Sequence, residues 1–189
     1  MTKPDWQLLA KQLRRPEGEY AVKVAEQMNI SNRQMNLEAI EAMNIKENDR
    51  LLEIGMGNGF FISDLFNKNT NIHYTGLDYS SEMIAKAKSF NIDQRYREKV
   101  SFVCADFENN RFSDNSFNQI FTINTVYFWE DVNMYLDDLQ RIIKPDGNLL
   151  LGFRPKKLIE NYPFTAHGFT MYAPEDLASI LEKQNCLHY

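Results

Sequence analysis

Residues 51–61 read Leu51-Leu52-Glu53-Ile54-Gly55-Met56-Gly57-Asn58-Gly59-Phe60-Phe61. An apolar strand pattern ends in an acid, breaks into three alternating glycines and resumes as an apolar helix pattern. Glycine is required where φ is positive or where a ligand comes close to the backbone. Strand, glycine turn and helix start together present backbone N–H groups to a nucleotide-like ligand. The spacing is G-x-G-x-G, whereas pyrophosphate binders use G-x-G-x-x-G. The implied ligand is a nucleoside without a pyrophosphate tail, and Glu53 at the strand end favours one that carries positive charge.

Outward from this turn, strand and helix patterns alternate. Ile72–Asp78, Val100–Ala105, Gln119–Asn124 and Asn148–Phe153 read as further strands. Phe60–Phe66, a helix carrying Met83, Ile84 and Ala87 behind the cap Ser80, and Val132–Ile143 read as helices. Such alternation predicts a doubly wound, mostly parallel sheet covered on both faces, and the runs Ile120–Ile123 and Leu149–Leu151 read as buried strands. Pro145-Asp146-Gly147 reads as a turn. Before the first strand the chain is helical, with Ser31 as the expected cap of its last helix. Pro155–Tyr172 reads as a long irregular loop, ended by Pro174 at a helix start.

Ligands of open α/β sheets lie beyond the carboxyl ends of the strands, where the strand order reverses. Four strand ends supply polar residues there. Glu53, Gly55, Gly57 and Gly59 follow the first strand. Asp78-Tyr79 ends the second, about 20 residues on, the spacing at which an acid receives ribose hydroxyls. Asp106-Phe107 follows the third, where an acid can accept from an adenine amino group. Asn124 follows the fourth, and the aromatic run Tyr127-Phe128-Trp129 comes directly after it. Glu130 and Asp131 read as acids ahead of a helix, placed by its dipole.

Together these residues resemble class I S-adenosylmethionine (SAM)-dependent methyltransferases of the small-molecule type, over Leu51 to Phe153, including the turn Ile143–Gly147. The resemblance implies a Rossmann-like fold with an N-terminal helical cap. It divides a single 1–189 domain into a cap over 1–48, a SAM-binding core over 49–154, and a substrate loop with a final helix over 155–189. It also implies that Glu53 and the glycines hold the methionine end, Asp78 the ribose and Asp106 and Phe107 the adenine edge. Tyr79 or Met83 would lie over the adenine face and Asn124 near the sulfonium. The expected activity is methyl transfer from SAM to a small, apolar or aromatic acceptor; the alternative is a non-catalytic SAM-binding module or subunit. Tyr127, Trp129, His167 and Tyr172 are the expected acceptor contacts, with Tyr127 and His167 as candidate catalytic groups. No N-P-P-Y or D-P-P-Y stands after the fourth strand, which disfavours amino groups of bases or glutamine.

Composition narrows the partners. The 189 residues carry a net charge of −5 without a dense Lys/Arg stripe, so no nucleic-acid partner is expected. No apolar stretch approaches a membrane span, and the two cysteines, Cys104 and Cys186, make neither a disulfide framework nor a metal site. Cys104 reads as a small core residue, and the cytoplasm as the compartment. In this family the helix from about Pro174 is usually followed by two more strands, but only Asn185–Tyr189 remain, so the C-terminal hairpin is missing. The fifth strand would then be an apolar edge, which soluble proteins avoid. A truncated chain is the preferred reading, ahead of pairing with a second copy in a homodimer or cover by the tail and aromatic loop.

Overall fold

The computed structural model describes residues 4–90 and 94–184. Three N-terminal helices, α1 (Trp6–Arg14), α2 (Ala21–Ser31) and α3 (Arg33–Ala42), precede the sheet. Then follow β1 (Arg50–Ile54), α4 (Ile62–Lys68), β2 (His73–Asp78), α5 (Ser81–Ser89), β3 (Val100–Cys104) and β4 (Phe117–Ile123). The chain continues through α6 (Val132–Ile142), β5 (Ile143–Gly152), α7 (Lys156–Ile159) and α8 (Pro174–Lys183). Among the described residues the sheet has five strands in the order β3-β2-β1-β4-β5, every pair parallel.

The order reverses between β1 and β4, so the glycine turn and Asn124 both lie at the switch point. Successive side chains of a strand point to opposite faces. Leu51 and Phe121 accordingly join Ile40, Leu65 and Phe66 under α3 and α4. Leu52 and Ile120 join Leu136, Leu139 and Ile142 under α6. Four of the five β1 residues are buried, as both-faces cover requires.

Local chemistry explains the helix starts. The Ser80 hydroxyl accepts the Met83 N–H at 3.3 Å and caps α5. Asp131 caps α6, accepting from the Asn133 and Met134 N–H groups at 2.9 and 3.4 Å. Ser31 is not a cap: it ends α2, its hydroxyl donating back to the Met28 carbonyl, and α3 starts after Asn32 without a side-chain cap.

Four further expectations change. β5 begins at Ile143, directly after α6, and the residues read as a turn form an irregularity in the pairing opposite Phe117–Gln119. Pro155–Tyr172 is not irregular throughout, since α7 and a 3-10 turn at Pro163–Ala166 lie in it. Cys104 is exposed, because β3 is an edge strand covered less fully than β1. β5 is the other edge, and its Leu149–Leu151 run is half-buried rather than sealed on both faces. The tail expected to begin a sixth strand lies outside the described residues.

Candidate active site

β1 and β2 end side by side, with Glu53 opposite Gly76 and Ile54 opposite Leu77. The turn after β1 uses left-handed backbone at Gly55 (φ 71°), Gly57 (φ 58°) and Gly59 (φ 71°). Their roles differ. A Cβ on Gly55 would collide with the Thr125 methyl from the β4 end, whereas a Cβ on Gly57 would meet nothing within 4 Å. The turn is thus closed against β4 at Gly55 and open at Gly57. Gly59 faces Ile62 and Ala87 and serves helix packing instead.

Asp78 ties this turn to β2. Its Oδ2 accepts the Gly57 N–H at 2.9 Å and its Oδ1 the Ser80 N–H at 2.8 Å. Each carboxylate oxygen keeps a second acceptor position. Burial pushes the carboxyl up to about 6, against the lowering effect of these two N–H groups and of the Arg15 charge. Glu53 is buried as well, and its Oε2 accepts the Tyr74 hydroxyl at 2.5 Å. Burial raises it to about 7, the Tyr74 bond lowers it and the Asp78 charge raises it further. Among the described residues no lysine or arginine forms an ion pair with either acid. Two buried acids outside any ion pair, with only the more distant Arg15 charge acting on Asp78, therefore stand at the floor of one cleft, where a cationic ligand would balance them.

The cleft collects most of the residues expected from sequence. Glu53, Gly55, Gly57, Asp78, Tyr79 and Met83 line it on one side, and Asp106, Phe107, Asn124 and Trp129 continue the lining. Gly59 is not among them. Tyr79 is anchored by its hydroxyl, which donates to the Arg14 carbonyl at 2.8 Å, with the Arg15 guanidinium 5.0 Å from its ring centre. Trp129 stacks on Tyr135 at 4.6 Å, and the Tyr135 hydroxyl donates to Asp106 at 3.4 Å.

Three other expected contacts stand apart from the cleft. Tyr127 is buried beneath it, and its hydroxyl donates to Asn124 Oδ1 at 2.9 Å while accepting from the Arg154 N–H. Burial lifts this phenol to about 12. A group so placed holds the loop together, and it is not among the residues that line the cleft. His167 lies in a shallow groove against α1, beside Leu8 and Lys11. Tyr172 packs on the α6 side of the core, with Asp131 and burial raising its hydroxyl. The loop 155–172 supports the aromatic run from behind, Phe169 meeting Phe128 edge to face at 4.7 Å, and does not line the cleft.

Sequence reasoning missed Asn29, Asn32 and Asn36 of the helical cap, which close the cleft from above. Asn29 belongs to α2 and Asn36 to α3, with Asn32 at the bend between them; their spacing of three and four along a stretch read as helical is the signal that would have found them. Asn32 and Asn124 are joined, the Asn124 amide donating to Asn32 Oδ1 at 3.0 Å. Arg154 adds a second tie, donating to the Ser31 carbonyl at 2.7 Å and to Asn32 Oδ1 at 3.3 Å.

A methyltransferase-domain family matches residues 52–151, the span that holds the sheet and the glycine turn. The chain belongs to the class I SAM-dependent methyltransferases. It is 28% identical over 112 residues to the protein named methyltransferase YrhH of Bacillus subtilis, covering 59% of this chain and 61% of that one. It is 30% identical over 105 residues to the sterol 24-C-methyltransferase erg6 of Aspergillus fumigatus, covering 56% of this chain and 28% of that one. These matches span less than two thirds of either relative. In fold, the domain is similar to the methyltransferase solved with the Trm112 methyltransferase activator of Haloferax volcanii. That likeness has a TM-score of 0.75 at 18% identity and covers 97% of this chain and 77% of the other. No helix among the described residues is long and apolar enough to cross a membrane.

Proposed function

We propose that the protein transfers the methyl group of SAM to a small acceptor bound between the β4 end and the helical cap. The observation that carries this reading is the pair of buried acids, Glu53 and Asp78, neither of them in an ion pair, beside an open glycine turn. SAM fits that donor set, since its ammonium and sulfonium are cationic and its ribose presents two hydroxyls. Glu53 and the Gly55–Gly57 backbone hold the methionine end. Asp78 accepts from the ribose hydroxyls through the lone pairs its backbone bonds leave free. Met83 and Phe107 flank the adenine, with Asp106 at its edge.

Bound SAM supplies an electrophilic methyl group on a sulfonium, already activated for displacement. The chain's own residues then have to orient and to exclude water. Trp129, Phe128 and Met28 supply apolar walls for an acceptor with apolar or aromatic parts. Neither Tyr127 nor His167 serves as a base in this reading, since neither lines the cleft.

Calorimetric titration with SAM and release of S-adenosylhomocysteine from a mixed metabolite pool test the proposal. Saturable SAM binding together with acceptor-dependent product release is the expected result. SAM binding without release from any pool would leave a binding module and overturn the transferase reading.

A further inference from the structure

The glycine turn is held differently on its two sides. Toward β2 the backbone holds it, the Gly55 and Met56 N–H groups donating to the Leu77 carbonyl at 2.8 and 3.3 Å and the Gly57 N–H to Asp78. Toward β4 the paired residues end at Ile54 and Thr122, just before the turn begins. Beyond that pair two threonine side chains take over.

Thr122 is buried, and its hydroxyl donates to the Ile54 carbonyl at 2.7 Å. The same oxygen lies 2.5 Å from the Thr125 hydroxyl. A hydroxyl carries one proton, and that of Thr122 is committed to Ile54, so Thr125 donates in the second bond. Thr125 therefore has no proton left to offer a ligand. Its methyl group is engaged as well, since Cγ2 fills the space that a Cβ on Gly55 would need. The backbone of Thr125 is fixed on both sides. Asn124 leaves β4 in the left-handed region (φ 57°), and the Phe128 N–H donates to the Thr125 carbonyl at 2.9 Å. Gly55 and Thr125 both line the cleft.

We propose, resting on the transferase reading above, that Thr125 is a positioning residue for methyl transfer. It sets the separation between the β1 turn, which holds the methionine end of SAM, and the β4 end, beside which the acceptor binds. Two opposed contacts from one side chain define that distance. The hydroxyl chain from Thr125 through Thr122 to Ile54 draws the β4 end toward β1. The methyl group against Gly55 stops the approach. Displacement at a sulfonium needs the reacting atoms in line, so a crevice wider or narrower at this point misplaces the methyl group. Thr125 acts through the Gly55 turn, and the adenine and ribose contacts at the β2 and β3 ends do not depend on it.

The test uses the full chain and two ligands measured by calorimetry. S-adenosylhomocysteine carries the amino-acid end, whereas 5′-methylthioadenosine keeps the nucleoside and the sulfur and lacks that end. Thr125→Ala should weaken S-adenosylhomocysteine by roughly tenfold, the effect of one lost neutral hydrogen bond, while 5′-methylthioadenosine stays within about twofold. Thr125→Val keeps the methyl and loses the hydroxyl, and Thr125→Ser does the reverse; each should show a smaller loss of the same kind. Should Thr125→Ala fold poorly, these two milder variants carry the comparison. The contact with Gly55 is tested by exchange. Gly55→Ala alone collides with the Thr125 methyl, and adding Thr125→Ser removes that methyl. The double variant should therefore bind S-adenosylhomocysteine more tightly than Gly55→Ala, with the left-handed strain remaining. Equal weakening of both ligands, unchanged S-adenosylhomocysteine affinity in Thr125→Ala, or no recovery in the double variant would overturn the assignment. Wild-type protein that binds neither ligand would fail the transferase reading and the assignment with it. Wild-type binding of both, with indifferent Thr125 variants, would fail the assignment alone.

Discussion

The Asp78 carboxylate fastens the glycine turn, accepting the Gly57 N–H at 2.9 Å across 21 residues of chain. One acid on β2 thus shapes the loop after β1 and also faces the cleft. Asp78→Ala should lower SAM affinity tenfold to a hundredfold, since hydrogen bonds to a charged group contribute about 1.5–3 kcal/mol. It should also lower the melting temperature, because the Gly57 and Ser80 N–H groups lose their acceptor. Asp78→Asn keeps one acceptor oxygen, so it should retain more stability than Ala while still losing donor affinity. Calorimetry and thermal melts on both variants separate the two effects.

The protonation of the buried acids gives a pH dependence with a definite sign. Glu53 is raised to about 7 and Asp78 to about 6 by burial. Between their ordinary values and these, the folded chain binds more protons than the unfolded chain, so stability falls as pH rises through this window. Without SAM, the melting temperature should decline from about pH 5 to pH 8 on account of these groups. A cationic donor favours the ionised acids, so SAM should bind more tightly at pH 8 than at pH 5.5, with release of protons. Titrations in buffers of different ionisation enthalpy detect that release; proton uptake on binding would contradict the assignment.

The first two glycines of the turn should fail differently. In Gly55→Ala the new Cβ meets the Thr125 methyl in a left-handed backbone position, so the protein should be destabilised and its cleft distorted. In Gly57→Ala the protein has room, and the strain of the left-handed conformation should cost about 1 kcal/mol. The methyl then stands where the ligand approaches. Gly57→Ala should therefore remain folded by circular dichroism and lose SAM binding. Unchanged SAM affinity in a folded Gly57→Ala protein would show that the donor does not approach this turn.

Removing the Tyr127 hydroxyl separates support from chemistry. Tyr127→Phe deletes its bonds to Asn124 and to the Arg154 backbone, which are part of the ties between the β4 end, β5 and the cap. A loss of stability of about 1–3 kcal/mol is expected from the polar groups left unpaired. The pH profile of turnover should keep its shape, since no catalytic proton passes through this phenol. A lost ionisation in the Tyr127→Phe profile would restore it as a candidate base.

Local signals decided much of the fold and one half of the cleft. The glycine run at 55–59 and the acids at 53, 78 and 106 are legible because strand ends in a doubly wound sheet all face the same way. A residue's place in its own strand therefore reports its place relative to residues from other strands. The cap side of the cleft had no such frame. That Asn29, Asn32 and Asn36 line the cleft depends on where α2 and α3 settle on the sheet, fixed in part by Arg154 more than a hundred residues away. Tyr127 and His167 diverged from expectation for the same reason. Alternation alone leaves an aromatic residue after β4 free to face a ligand or the core, and here Arg154 and Phe169 pack it inward. His167 follows the loop outward to α1. The sequence by itself determined the glycine turn and the acid before it, because their chemistry is carried by neighbours in the chain. Only the tertiary structure decided the cap side of the cleft, because its side chains are positioned by contacts between segments that no local pattern relates.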